Sequence, residues 1–219
     1  MALLPAAARA QVVTHDEGSF TVTRGGAPIG REEFRILRQP AAGSVAYVAR
    51  ALGAYGERRV SPALQTDSLG VPQRYQVEVR TGGQLEQRLT AQSAGGRFAA
   101  QATTRTGEAS REYVLPVGGV LLDDEAFHQW FVVGLYGRAD TATTLPVLAP
   151  RPNAQRTFRV LTREATRLTV GATTLDATHL VVADLTERRR ELWLDRAGRV
   201  LRVALPDEGL VAQRDDPPR

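Results

Sequence analysis

The sequence predicts a mainly β fold: a curved antiparallel sheet, or half-barrel, of about ten to twelve strands, with one apolar helix packed in its concave side. Three observations carry this expectation. Short segments alternate apolar and polar residues with a period of two, the pattern of strands that bury one face. Gly-Gly pairs at 25–26, 82–83 and 95–96 fall between such segments as turn signals. One stretch breaks the alternation: Asp123 to Gly137 (DDEAFHQWFVVGLYG) is apolar almost all the way round.

The elements follow in order. Ser19–Thr23 places Phe20 and Val22 on one face, Arg24-Gly25-Gly26-Ala27 turns the chain, and Ile29–Leu37 returns with Phe34 and Ile36 aligned, a hairpin. Ser44–Leu52 is a third strand. Arg59–Thr66 contains Pro62, which has no N–H for a ladder and marks an edge strand or a bulge. Arg74–Arg80 (Tyr75, Val77, Val79 in phase), Gln84–Ala91, Arg97–Thr103 and Ala109–Leu115 form a meander with glycine turns. The helix then starts at Asp123 as N-cap, with Asp124 and Glu125 at its positive end and Gly137 as C-cap. Phe127, Trp130, Phe131 and Leu135 fall at helical spacing. Arg138–Asn153 is a linker or extended crossing that pins Leu145, Val147 and Leu148 to the core. Strands resume at Arg156, and ELWLD (191–195) with RVLRVAL (199–205) reads as a hairpin.

The chain has 219 residues, 42% of them hydrophobic, enough to build one large domain with a core. Residues 18–214 are expected to form it, with a disordered tail at 215–219. All 28 basic residues are Arg; against 24 acids they leave a formal charge of +4. They are scattered among acids, so no nucleic-acid surface is expected. The chain has no Cys, which excludes disulfides and thiolate metal sites. Residues 1–10 (MALLPAAARA) read as the remnant of a secretory signal peptide, with Ala8-Arg9-Ala10 as a small-x-small cleavage site, so the protein is expected to be periplasmic or secreted. No stretch reaches the apolar length of a membrane helix.

Reaction chemistry is sparse. There is no Gly-x-Ser-x-Gly elbow and no phosphate-cradling glycine loop ahead of a helix. His15, His128 and His179 are isolated; Glu125 and His128 share a helix face, but no second such pair stands opposite to complete a metal site. The expectation is a non-enzymatic protein with no catalytic residue, metal or cofactor. A helix fills the hollow of a curved sheet incompletely, so the expected ligand is an apolar small molecule or lipid between helix and sheet. Phe127, Trp130, Phe131, Leu135, Tyr75 and Trp193 are its expected walls. The rival expectation is a structural or partner-binding envelope domain with a filled core, which would recruit an envelope protein by strand addition at an exposed edge near Pro62. Cavity volume discriminates the two.

The N-terminal hairpin (GSFTVTRGGAPIGREEFRI), the meander, the mid-chain helix and ELWLDRAGRVLRVALP near the end together resemble uncharacterised bacterial envelope proteins. Those carry a tryptophan-bearing strand, Asp-x-x-Gly and a further strand close to the C-terminus. More distantly, the order of elements is similar to the half-barrel of the lipoprotein localisation factors. The resemblance implies an exported protein with a hollow apolar sheet and a lipid-like or lipoprotein acyl ligand.

Overall fold

The computed structural model describes residues 11–41, 44–123, 125–136 and 143–219. Residues 1–10, read above as a signal remnant, lie outside them, as do Asp124 and Gly137. Fifteen strands form one sheet, more than the ten to twelve expected. The first eight are β1 (Val13–Arg24), β2 (Ala27–Ala41), β3 (Ser44–Tyr55), β4 (Arg58–Asp67), β5 (Pro72–Thr81), β6 (Gln84–Ala94), β7 (Arg97–Thr104) and β8 (Gly107–Tyr113). After β9 (Val120–Leu121) come a 3₁₀ turn (Phe127–Trp130) and the short helix α1 (Phe131–Tyr136). The chain then returns as β10 (Thr144–Ala149), β11 (Ala154–Val170), β12 (Thr173–Ala183), β13 (Arg189–Leu194), β14 (Val200–Leu205) and β15 (Leu210–Arg214).

The spatial order is β8-β7-β6-β5-β4-β3-β2-β1-β15-β14-β13-β12-β11-β10-β9. Apart from β8 and β9, which lie at opposite edges, neighbours in sequence are neighbours in space, and every pairing is antiparallel except β9 with β10. The one long-range ladder joins β1 to β15 in the middle of the sheet, with Phe20 opposite Arg214 and Arg24 opposite Leu210. The Gly-Gly turns deliver the hairpins because both glycines of each pair, at 25–26, 82–83 and 95–96, take positive φ.

Period-two alternation sends one set of side chains to a shared interior. Phe20, Phe34, Tyr47, Leu64, Tyr75, Val77, Leu89 and Phe98 on the first half of the sheet meet Phe158, Val182, Leu192 and Val203 on the second. The 3₁₀ turn and α1 add Phe127, Trp130, Phe131, Val132 and Val133 to that shared core. The sheet curls enough for its two ends to touch. Tyr113 Oη on β8 donates to Asn153 Oδ1 (2.9 Å), and Gln155 Nε2 donates to the Val114 carbonyl (3.0 Å). No ladder joins β8 to β9, so the barrel stays open.

Two local expectations are corrected. The strand with Pro62 is interior, flanked by β3 and β5; its pairing with β3 omits Ser61 and Pro62 without a change of register, and its register shift lies against β5, between Gln65 and Thr66. The helical segment starts later than Asp123: Glu125 has φ +60°, which no helix tolerates, and Ala126 precedes the first helical turn. Residues of the 215–219 segment make contacts with the rest of the sheet. Asp215 accepts from Ser19 Oγ and Thr21 Oγ1 (both 2.6 Å), and Arg199 Nη1 donates to the Arg219 carbonyl.

Candidate functional site

The helical segment carries no N-cap side chain of its own. A strand supplies the missing acceptor. Glu32 sits on β2 in phase with Phe34 and Ile36 and therefore points into the core, where it is fully buried. Its carboxylate accepts the backbone N–H groups of Phe127 (2.9 Å) and His128 (2.7 Å) and lies 3.0 Å from His128 Nδ1. Those first-turn N–H groups have no partner inside a helix, so Glu32 caps it from a distance. Asp123 serves a different end. Its backbone N–H donates to Gln129 Oε1 (2.8 Å), and its Oδ2 accepts from Tyr75 Oη (2.7 Å). Burial, and then the Asp123 charge, push the Tyr75 phenol well above its ordinary range, which keeps it a donor.

At the rim, Glu125 gathers two arginines, Arg58 (3.2 Å) from β4 and Arg151 (3.0 Å) from the β10–β11 turn. Burial pushes its carboxyl up, but the bonds and charges of Arg151 and Arg58 outweigh that and hold it below the usual range. Arg58 also pairs with Glu86 on β6. The positive φ of Glu125 is thus held by partners from both halves of the sheet.

The helix is seated tightly. Phe127, Trp130 and Phe131 are buried; Trp130 stacks on Phe158 (6.1 Å) and Phe131 tilts against Tyr47 (5.9 Å). A Cβ on Gly134 would lie 2.1 Å from the Gly198 carbonyl oxygen, so the β13–β14 turn packs directly on the helix backbone. The enclosed space beside Phe127 and Trp130 is about 30 Å³, room for roughly one water. Among the described residues, His128 Nε2 and Gln129 Nε2 are buried with no hydrogen-bond partner.

Of the six expected wall residues, the structure gathers five. Phe127, Trp130, Phe131 and Tyr75 join the central core, and Leu135 packs against it half-buried. Trp193 goes elsewhere. Its strand neighbours Leu192 and Leu194 face the core, so its own ring lies on the reverse face. There it stacks on His179 (4.3 Å) beneath the Arg202 guanidinium (5.0 Å). Glu125 and His128 do not share a helix face, since Glu125 precedes the helix and turns to the rim arginines. No metal-holding cluster exists among the described residues.

The larger spaces lie outside the helix–sheet interior. One cleft of about 620 Å³ follows the seam where the two ends of the sheet approach. Val114, Leu115, Pro116, Pro146, Val147 and Leu185 supply its apolar walls, and Arg156, Asp184 and Arg188 its rim. Val114 and Leu185 are largely exposed. Asp184 is fixed by its own turn. Burial pushes its carboxyl up, but bonds from Thr186 and the Arg188 amide outweigh that and leave it low and ionised. A second space, also about 620 Å³, is a polar groove on the outer face of β3 to β7.

Sequence reasoning passed over Glu32 and this groove. Glu32 left a signal: an acid on the apolar parity of a strand, two residues before Phe34. The groove left none, because its residues are ordinary polar positions drawn from five strands whose register the sequence does not print. Comparison with protein-family models, with curated proteins and with solved structures finds no match to this chain.

Proposed function

We propose that the chain is a non-enzymatic, exported binding module for an apolar or lipid-like ligand, which it takes in the seam cleft rather than between helix and sheet. The observation that carries this reading is the contrast of volumes. The interior beside the helix leaves about 30 Å³, whereas the seam leaves about 620 Å³ with apolar walls and a charged rim. The larger value lies within the ~300–1,000 Å³ usual for small-ligand sites. Exposed Val114, Val117 and Leu185 extend the apolar surface around the cleft. Binding gains about 25 cal/mol for each Å² of apolar surface removed from water. On the rim, Arg156 and Arg188 outnumber the ionised Asp184, which suits a ligand with a polar or anionic head.

The test is native mass spectrometry, with lipid extraction, of the full chain purified without detergent from a periplasm, together with uptake of an environment-sensitive fatty-acid dye. A stoichiometric lipid and dye uptake lost in Leu185→Asp support the reading. An apo mass with no dye uptake ends it.

A second reading, a partner-binding envelope domain with a filled core, is favoured by one observation. Among the described residues β8 pairs only with β7, and six of its seven residues are exposed. Its outer edge offers unpaired backbone groups to an added strand. An apo protein that captures an extended segment of an envelope partner, with capture lost on Ser110→Pro, would favour it over the lipid reading.

A further inference from the structure

The outer groove has a composition unlike the rest of the sheet surface. Its sides carry Gln65, Gln76, Gln92 and Gln101, with Thr90, and its only charged residues are Arg50 and Arg74. Cross-strand pairing sets these in two rows. One runs Arg50, Ala63, Gln76, Thr90, Gln101; the other runs Val48, Gln65, Arg74, Gln92, Ala99. Ala63 and Ala99 have short side chains where their neighbours are long, and this gives the groove its depth. It crosses four strand spacings, roughly 19 Å.

The charge pattern separates Arg50 and Arg74 from most other arginines of the same face. Arg35 pairs with Glu17, Arg80 and Arg88 with Glu78, and Arg97 with Glu112. Arg31 pairs with Glu33 and Asp215. Arg50 and Arg74 have no ion pair among the described residues, and no carboxylate lines their groove. From the pairing register they stand two strands and two residues apart, about 12 Å between backbones, so both side chains reach one extended ligand.

We infer that the groove across β3 to β7 is a binding site for an acidic oligosaccharide. Guanidinium groups match carboxylates in bidentate geometry. Carboxamides both donate and accept, which suits sugar hydroxyls that do the same. A peptide ligand would need apolar anchor pockets, and the walls here are amides. A single-stranded nucleic acid would need aromatic platforms. Tyr75, the one aromatic residue at the groove, turns its ring to the opposite face and bonds Asp123. The site is independent of the seam cleft, and its fate does not follow that of the lipid reading.

The test is calorimetric titration of the full chain with a short uronic-acid oligomer, a neutral glucose oligomer of equal length and an oligoglutamate peptide, at low and physiological salt. The uronic-acid oligomer should bind with one site. Arg50→Gln and Arg74→Gln should each weaken it roughly tenfold, and Ala63→Phe should abolish it by filling the floor. Arg97→Gln, outside the groove, should leave it unchanged. The proposal is overturned by no binding of the uronic-acid oligomer, by equal or tighter binding of the neutral oligomer or of oligoglutamate, or by an equal loss in Arg97→Gln, which would mean general attraction to a basic protein.

Discussion

Asp16 and Glu32 lie on adjacent strands, both buried, and they are answered in different ways. Asp16, near the start of β1, meets Arg214 of β15 in a bidentate pair (2.8 and 2.9 Å). Arg214 also donates to the carbonyls of Glu17 and Asp216 and lies over the Phe34 ring. Glu32 meets two backbone N–H groups and a histidine ring instead. One carboxylate fastens two strands and the other fastens a helix. Phe34 touches both networks: the Arg214 guanidinium lies over its ring (5.3 Å) and His128 stacks with it (6.3 Å). The comparison teaches that these two buried acids each tie together elements distant in sequence.

Substitutions break the comparison in a definite order. Asp16→Ala strands a buried guanidinium and should cost about 3–5 kcal/mol, read as a fall in the urea midpoint. Glu32→Ala leaves two N–H groups and a ring nitrogen without acceptors and should cost about 3 kcal/mol; near-ultraviolet dichroism should show Trp130 loosened while the sheet persists. The double variant should depart from additivity by about 0.5 kcal/mol or more, because both networks touch Phe34. Strict additivity would show that the ring insulates them.

Smaller effects sharpen the helix side of the comparison. Gly134→Ala drives a methyl into the Gly198 carbonyl and should cost about 1–3 kcal/mol, seen in thermal melts. The Glu125 carboxyl is held below its ordinary value, so its contribution is complete above the unfolded value of 4.5 and fades as pH falls through the lower folded one. Glu125→Gln should flatten the stability profile on that acid side and leave the neutral-to-basic side parallel. The smallest effect belongs to the surface: Arg97→Gln should change stability by less than about 0.5 kcal/mol.

How much of this was legible in the sequence depends on parity. Phe34, Ile36, Tyr75, Val77 and Val79 declare their faces because polar residues separate them, and the structure buries each. In Glu191–Asp195 three apolar residues run together, so Leu-Trp-Leu names no inward residue; β13 chooses its leucines and leaves Trp193 outside. Arg214 and Glu32 are charged residues in apolar phase with Ala212 and Phe34, and that phase was their signal. The late start of the helix was hidden, because Asp123 and Glu125 suit a helix N-terminus as well as they suit the core and rim contacts they make. The seam cleft was hidden for a different reason: its walls come from residues 114–116, 146–147 and 185, which only the curl of the sheet brings together.

The pairing of β1 with β15 has a mechanical consequence. These strands run antiparallel, and the beginning of β1 lies at the same end of the ladder as the finish of β15. Tension applied to the two ends of the domain would therefore peel this ladder open rather than slide it, loading its hydrogen bonds one after another. The Asp16–Arg214 clasp sits at the point where the tear must start. Once it yields, the sheet parts down the middle into two meanders, each still hydrogen-bonded within itself.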